Sequence, residues 1–215
     1  MKMVIFILVW MVITVTNNKA QSRWSFELHG GDAYNVPLPL AIRQQGYPEI
    51  KLTARYYTEA FELPIYYDVR ICHWQEDKSW ELEFIHHKLY LENTPPEVQK
   101  FNVSHGFNMI FLNRGIQIKS FRYHAGAGIV LAHPESTVRG SEFEYSTDET
   151  DWGYFLSGPA IQMAVSRPFY LGNRFYINAE AKTTAGYGSI RIAQGNADVY
   201  NIAFHLLLGL GMDFK

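Results

Sequence analysis

The sequence predicts an all-β fold, an antiparallel transmembrane β-barrel of eight strands with ten as the alternative count. Three observations predict it. The apolar run at the N-terminus is too short to span a membrane as a helix, and no later run approaches ~18 apolar residues. The remaining segments alternate apolar and polar residues at period two, the signature of strands between two different solvents. In lipid every backbone polar group needs a partner, so a chain without a spanning helix must close its sheet.

The chain begins Met1-Lys2, runs apolar from Val4 to Val15 and turns polar as TNNKA before Gln21. One cation ahead of about twelve apolar residues suits a secretory signal, so residues 1–20 read as a signal peptide cleaved after Ala20. Removing it leaves 17 basic against 21 acidic residues, a net charge of −4. That balance offers no basic stripe for nucleic acid. The single cysteine, Cys72, excludes an internal disulfide framework and any multi-cysteine metal site.

Residues 21–48 form an N-terminal segment. Within it WSFELHGG sets Trp24, Phe26 and Leu28 against Glu27 and His29, which reads as an extra strand or a periplasmic segment. A companion strand within VPLPLAIRQQGYP would raise the count to ten. Residues 49–215 form the barrel, with strands expected at 49–58, 64–74, 79–91, 100–112, 117–133, 154–166, 173–189 and 198–214. Short turns fall at QEDK, NRG and FYLG, and the longer loops NTPPEVQ and SEFEYSTDETDW fall at the opposite end.

The pair PIYYDVRICHW and SWELEFIHHKLYL reads as a hairpin. A tight QEDK turn sets Arg70 opposite Glu83 and Cys72 opposite Glu81 on one face, with Ile71 facing Leu82 and Val69 facing Phe84 on the other. Both faces are chemically sensible in one register, and a slip of one residue would reverse them. In FNVSHGFNMIFL the apolar face is Phe101, Val103, Phe107, Met109 and Phe111. In FRYHAGAGIVLA, Phe121, Tyr123, Ala125, Ala127, Ile129 and Leu131 oppose Arg122 and His124. RFYINAEAKTTAGY places Glu180 and Lys182 on one side, and YNIAFHLLLGLGMDF carries eight apolar residues at alternate positions. The expected lumen charges are Arg55, Asp68, Arg70, Glu81, Glu83, Arg122, Glu180 and Lys182. Both signs are present, which suggests an ion-pair-filled interior; a ten-strand count would reopen the question of a channel.

The export signal, the aromatic-rich alternating strands and the ending Leu208-Gly209-Leu210-Gly211-Met212-Asp213-Phe214 resemble a small outer-membrane β-barrel protein of Gram-negative bacteria. The resemblance covers nearly all of the mature chain. It implies an outer-membrane location, contact with outer-membrane lipids and lipopolysaccharide, and a monomer. The closing aromatic resembles the signal read by barrel-insertion machinery, although Lys215 follows Phe214 here.

The stretch WELEFIHHKLYLENTPPEVQKFNVSHGFN carries the candidate site. Pairing Leu91 with Lys100 sets His86 opposite His105 on the lipid side and His87 opposite Ser104 on the lumen side. One reading follows a further resemblance, to lipid A deacylase-type barrels, and takes His87, Ser104 and Glu83 as base, nucleophile and orienting acid. Such enzymes carry His-x-Ser on one strand, whereas here Lys88 stands two residues beyond His86. The preferred reading is non-catalytic: His86, Lys88 and His105, with Tyr67 opposite His86, form a cationic aromatic cluster for lipopolysaccharide phosphates. Two facing histidines without a nearby acid do not make a zinc site, and no metal or cofactor is expected.

Overall fold

The computed structural model describes residues 22–103, 106–143 and 153–214, so the proposed signal peptide lies outside the described residues. In chain order the strands are β1 (Ser22–Asn35), β2 (Leu38–Gln44), β3 (Ile50–Ala54), β4 (Tyr56–Tyr57), β5 (Tyr67–Gln75), β6 (Lys78–His86), β7 (Leu89–Leu91) and β8 (Val98–Val103). They continue as β9 (Phe107–Ile118), β10 (Phe121–Ala132), β11 (Glu135–Val138), β12 (Ser141–Phe143), β13 (Phe155–Tyr170), β14 (Phe175–Ile192) and β15 (Gly195–Phe214). Strands β1, β5, β6, β9, β10, β13, β14 and β15 pair in that order, and β1 returns to β15 with Trp24 opposite Phe214 and Asn35 opposite Ala203. The wall is therefore a closed antiparallel barrel of eight strands, as expected, and its closure leaves no edge for lipid to meet along the paired lengths.

Which segments make the eight differs from the expectation. The N-terminal segment supplies the first wall strand, β1, with Ser22 to His29 paired to β5. Its first half, Trp24 to His29, is the segment that reads as an extra strand, and Gly30, Gly31 and Asp32 obscure only its continuation to Asn35. Residues 49–58 lie outside the wall: β3 pairs with β2, and β4 pairs with β7. The expected strand 100–112 is divided, with β8 in a second sheet ordered β12-β11-β8-β7-β4 and β9 in the wall.

The expected NRG turn is not a turn. Asn113, Arg114 and Gly115 lie inside β9, and the chain reverses at Lys119, whose φ is 56°. Gly115 has another purpose: a Cβ there would lie 2.1 Å from Ser79 Oγ and 2.2 Å from Glu81 Oε1. The missing Cβ lets β9 pass that lumen side-chain pair without displacing it. The β5–β6 hairpin has the anticipated register, Arg70 opposite Glu83, Cys72 opposite Glu81, Ile71 opposite Leu82 and Val69 opposite Phe84.

Each long strand changes chemistry along its length. On β14 the inward residues Tyr176, Asn178, Glu180, Lys182 and Thr184 give way to Ile190 and Ile192, all buried. Its outward residues run from exposed Phe175 up to exposed Arg191. On β15 the outward Leu210, Leu208, Leu206 and Phe204 end at Tyr200, above which Asp198 faces out while Val199 and Ala197 face in. The lower barrel is thus polar inside and apolar outside, as lipid requires. The upper extension is apolar inside, as water requires.

This exchange corrects the expected lipid face of FNVSHGFNMIFL. Phe101, Val103, Phe107, Met109 and Phe111 are all buried, in a core with Leu40, Ile42, Val138, Ile190 and Val199. The core sits over the lumen and is covered by β2, β3 and the second sheet. A belt of exposed apolar side chains, among them Trp80, Leu82, Leu112, Ile161 and Met163, surrounds the wall below it. No helix among the described residues is long and apolar enough to cross a membrane; the crossing elements are strands.

Candidate functional site

The polar lumen is built in layers by the inward parity of the wall strands. At the lower mouth Arg122 of β10 lies between the rings of Trp74 (5.0 Å) and Tyr176 (4.8 Å), and Arg23 stacks on Trp74 at 5.0 Å. Arg122 Nη1 donates to Glu27 at 2.9 Å and its Nη2 to the Tyr170 hydroxyl at 2.9 Å. The Tyr176 hydroxyl donates to Glu27 at 2.7 Å, and Trp74 Nε1 to Ser25 Oγ at 3.1 Å.

Above this layer Arg70 Nη2 donates to Glu180, and its guanidinium lies 3.4 Å from Glu27 and 3.8 Å from Glu83. Lys182 donates to Asp68 and Glu83 and approaches Glu180 at 3.1 Å. Asn113 and Gln162 donate to Glu83 as well. Five carboxylates (Glu27, Asp68, Glu81, Glu83, Glu180) therefore face three permanent cations. Two imidazoles stand beside the remainder, His29 at 3.2 Å from Asp68 and His124 at 2.9 Å from Glu81. Buried charges are tolerated when opposite charges pair with them, and every permanent cation here lies within salt-bridge distance of a carboxylate, although Arg70 Nε and Nη1 and Arg122 Nε have no hydrogen-bond partner. Arg55 does not belong to it; it is exposed and pairs with Glu92 at 3.1 Å.

Two sets of ligand-type atoms converge in the lumen, Glu27 with His29 and Glu180, and Asp68 with Glu83 and Glu180. Arg70 lies within salt-bridge distance of Glu27 and Glu180, and Lys182 of all three carboxylates of the second set. These cations already supply the positive charge that a metal would bring, so the sets do not fit a metal ion.

The upper lumen is neutral. His205 bonds the Tyr66 hydroxyl at 3.0 Å and Thr184 Oγ1 at 2.9 Å. His87 Nε2 bonds Asn35 Oδ1 at 3.0 Å, and Asn35 donates to Thr58 Oγ1 at 2.9 Å. Tyr66 reaches this cluster because β5 stops at Tyr67 while β1 continues to Asn35, and the segment between β4 and β5 lies along that upper edge of β1.

Of the residues chosen from the sequence as a catalytic group, Glu83 and His87 are not brought together. Glu83 belongs to the ionic layer and His87 to the neutral one, where its imidazole bonds Asn35 rather than Glu83. Ser104 and His105 lie outside the described residues. Leu89 faces Val103 and Tyr90 faces Asn102, so the pairing of Leu91 with Lys100 is off by one residue.

The cationic cluster assigned to the lipid side also differs. Tyr67 does lie opposite His86 and stacks on it at 5.2 Å. However, His86 is buried, with Nδ1 2.8 Å from Asn108 Oδ1. Lys88 is buried too and donates to the Glu62 carbonyl at 2.9 Å. Strand β6 ends at His86, so residues 87 and 88 leave the ladder and the period-two assignment of faces no longer applies to them.

A different trio does assemble. His124 Nε2 lies 3.0 Å from Ser166 Oγ, and His124 Nδ1 lies 2.9 Å from both carboxylate oxygens of Glu81. A hydroxyl, a base and an orienting acid in that order are the parts of nucleophilic catalysis. Their exposures are 1%, 2% and 1% for Ser166, His124 and Glu81. The neighbouring Arg122 layer lies between them and the lower mouth, so the trio as it stands is a buried hydrogen-bond relay. The sequence signals it only through inward parity, because Ser166 faces Arg122 across the ladder and reaches His124 diagonally.

No family model matches the chain, and no curated protein does. Among solved structures the chain is similar to Ail, the attachment invasion locus protein of Yersinia pestis, at 10% identity and a TM-score of 0.42, over 92% of this chain and 100% of that one. It is similar to Neisserial surface protein A at 8% identity and a TM-score of 0.43, over 90% of this chain and 97% of that one. It is likewise similar to the outer membrane protease OmpT from Escherichia coli at 8% identity and a TM-score of 0.43, over 94% and 99%.

Proposed function

We propose that this chain is a structural, lipid-associated barrel of the Gram-negative outer membrane that holds a folded sheet at the cell surface. The observation that carries the reading is closure at both ends of the lumen. The guanidinium–aromatic stack of Arg23, Trp74, Arg122 and Tyr176 fills the lower mouth, and the apolar core around Phe107 and Val199 fills the upper one. Eight strands leave an interior that side chains fill, and here they fill it with ion pairs. Association with outer-membrane lipid, lipopolysaccharide included, is supported by the segment between β4 and β5, where Phe61, Leu63 and Ile65 expose apolar surface beside the β1–β15 wall that suits acyl chains. The test is conductance of the refolded protein in a planar bilayer bathed in concentrated KCl. The expected outcome is no discrete opening; stable conductance steps would replace the structural reading with a channel.

A second reading, hydrolysis of a lipid A acyl ester, is favoured by the Ser166–His124–Glu81 geometry. Mass spectra of lipid A from cells making the wild type, Ser104→Ala, Ser166→Ala or no protein separate the two readings. The structural role predicts four identical spectra. Loss of an acyl chain with the wild type, abolished by one substitution, would establish the hydrolase and identify its serine.

A further inference from the structure

Arg167 points outward from β13 near its lower end, into the apolar belt. Its guanidinium lies 4.9 Å from the ring of Phe169 and 5.6 Å from that of Phe121, so two aromatic faces fix its position. Among the described residues no carboxylate pairs with it. Arg114 in the same belt differs, since it stacks on Trp80 at 5.0 Å and also donates to the Ser79 carbonyl at 3.2 Å. A cation facing lipid without an anion is costly unless something negative meets it at the interface.

Two furrows in the outer wall lie beside this corner, the first lined by Arg167 itself and the second joined to the first at Val165, two residues along the same face. One encloses about 690 Å³ and runs from Arg167 past Ala179 and Ala181 to Gly30 and Gly31, with Leu206 and Leu208 as its ridge. These small residues form low ground between bulky neighbours. The other, also of about 690 Å³, shares Val165, Ala181 and Leu206 with the first and rises towards Met163 and Phe204. One cation thus stands near two apolar channels that meet. That is the pattern of a ligand with one anionic head and two chains.

We propose that Arg167 and the paired furrows bind a diacyl glycerophospholipid of the periplasmic leaflet, with the phosphate on the guanidinium and one chain in each furrow. The assignment rests on the outer-membrane reading above: with the second sheet held at the cell surface, the short turns after β5, β9 and β13 at the opposite end of the wall face the periplasm. A guanidinium presents paired N–H donors that match phosphate oxygens. A fatty acid would satisfy the charge and leave one furrow empty; a diacylglycerol would fill both and leave the charge unmet.

Native mass spectrometry of the refolded barrel, released from micelles containing dioleoyl phosphatidylethanolamine, tests the proposal. The wild type should retain one phospholipid, and Arg167→Gln should retain it about tenfold more weakly, the loss of roughly one charge-assisted contact. Ala181→Leu, which fills the ground shared by the furrows, should weaken retention with Arg167 intact, and Arg114→Gln should leave it unchanged. Dioleoylglycerol should bind the wild type about tenfold more weakly than the phospholipid, with no further loss in Arg167→Gln. Inorganic phosphate should not displace the lipid.

Equal phospholipid retention by the wild type and Arg167→Gln, equal retention of diacylglycerol and phospholipid, displacement by phosphate alone, or no lipid on the wild type would each overturn the assignment. Heat-dependent gel migration confirms that each variant is folded. Fractionation of cell membranes reads the location separately, so the site and the outer-membrane reading can fail independently.

Discussion

Lys182 carries an ammonium into the middle of the lumen, where Asp68, Glu83 and Glu180 all reach it. None of these groups touches water, so removing the cation leaves carboxylates buried without their counter-charge. That loss typically costs about 3–5 kcal/mol, far more than the net value of the intact pair. Lys182→Met should therefore destabilise the barrel by about that much, read as a lower midpoint in urea unfolding followed by tryptophan fluorescence. Adding Asp68→Asn should recover part of the loss, because the second substitution removes one orphaned charge. If the double variant instead shows the sum of the two single losses, the two groups are uncoupled and the network account is wrong.

Elements show which parts of the fold were legible in the sequence. The β5–β6 hairpin was readable to the residue because both of its faces lie within the membrane-crossing part, where the parity rule holds from Asp68 to Trp80. Strand β1 was legible as alternation from Trp24 to His29 but falls outside the expected eight because residues 49–58, which lie outside the wall, take its place in that count. Asn113-Arg114-Gly115 mimicked a turn because its glycine serves a close approach inside the lumen. His86 and Lys88 are expected on the lipid side but are buried, His86 by Tyr67 and Asn108 and Lys88 because β6 ends before it and the alternation of faces no longer governs its side chain. The His124–Ser166 contact was not readable at all without the register between β10 and β13.

The β2–β3 hairpin lies above the belt and should respond to pH. The Lys51 ammonium, at 2.8 Å, holds the Glu49 carboxyl below its ordinary value of 4.5, and Arg43, at 2.9 Å, adds to the effect. A depressed carboxyl contributes stability that is present above the unfolded value and lost as the pH falls through the folded one. Amide exchange in residues 42–50 should thus stay slow from neutral pH down to about 4.5 and quicken, relative to the intrinsic rate, below it. In Glu49→Gln this acid-dependent change should disappear; if it persists, another group governs the hairpin.

At the scale of the whole molecule, one set of strands crosses two solvents, and the inward face changes from charged to apolar where the outward face changes from apolar to polar. The lower barrel is held by ion pairs that lipid and the closed ladder keep dry, while the upper extension is held by hydrophobic burial like a water-soluble sheet. These two halves should lose structure separately. Phe107 begins β9 within the upper core, above Met109 and Phe111, and its ring lies close enough to Gly186 and Gly188 that a Cβ at either would come within 3.1 Å or 3.0 Å of it. Phe107→Ala should cost about 3–5 kcal/mol, the range for truncating a buried phenylalanine, and that cost should fall on the upper half. The expected result is faster cleavage of the second sheet by protease added to intact cells, with the heat-dependent gel shift of the barrel unchanged. Loss of both together would mean that the core and the ion-pair lumen form one cooperative unit, and the strands would then transmit stability across the boundary instead of dividing there.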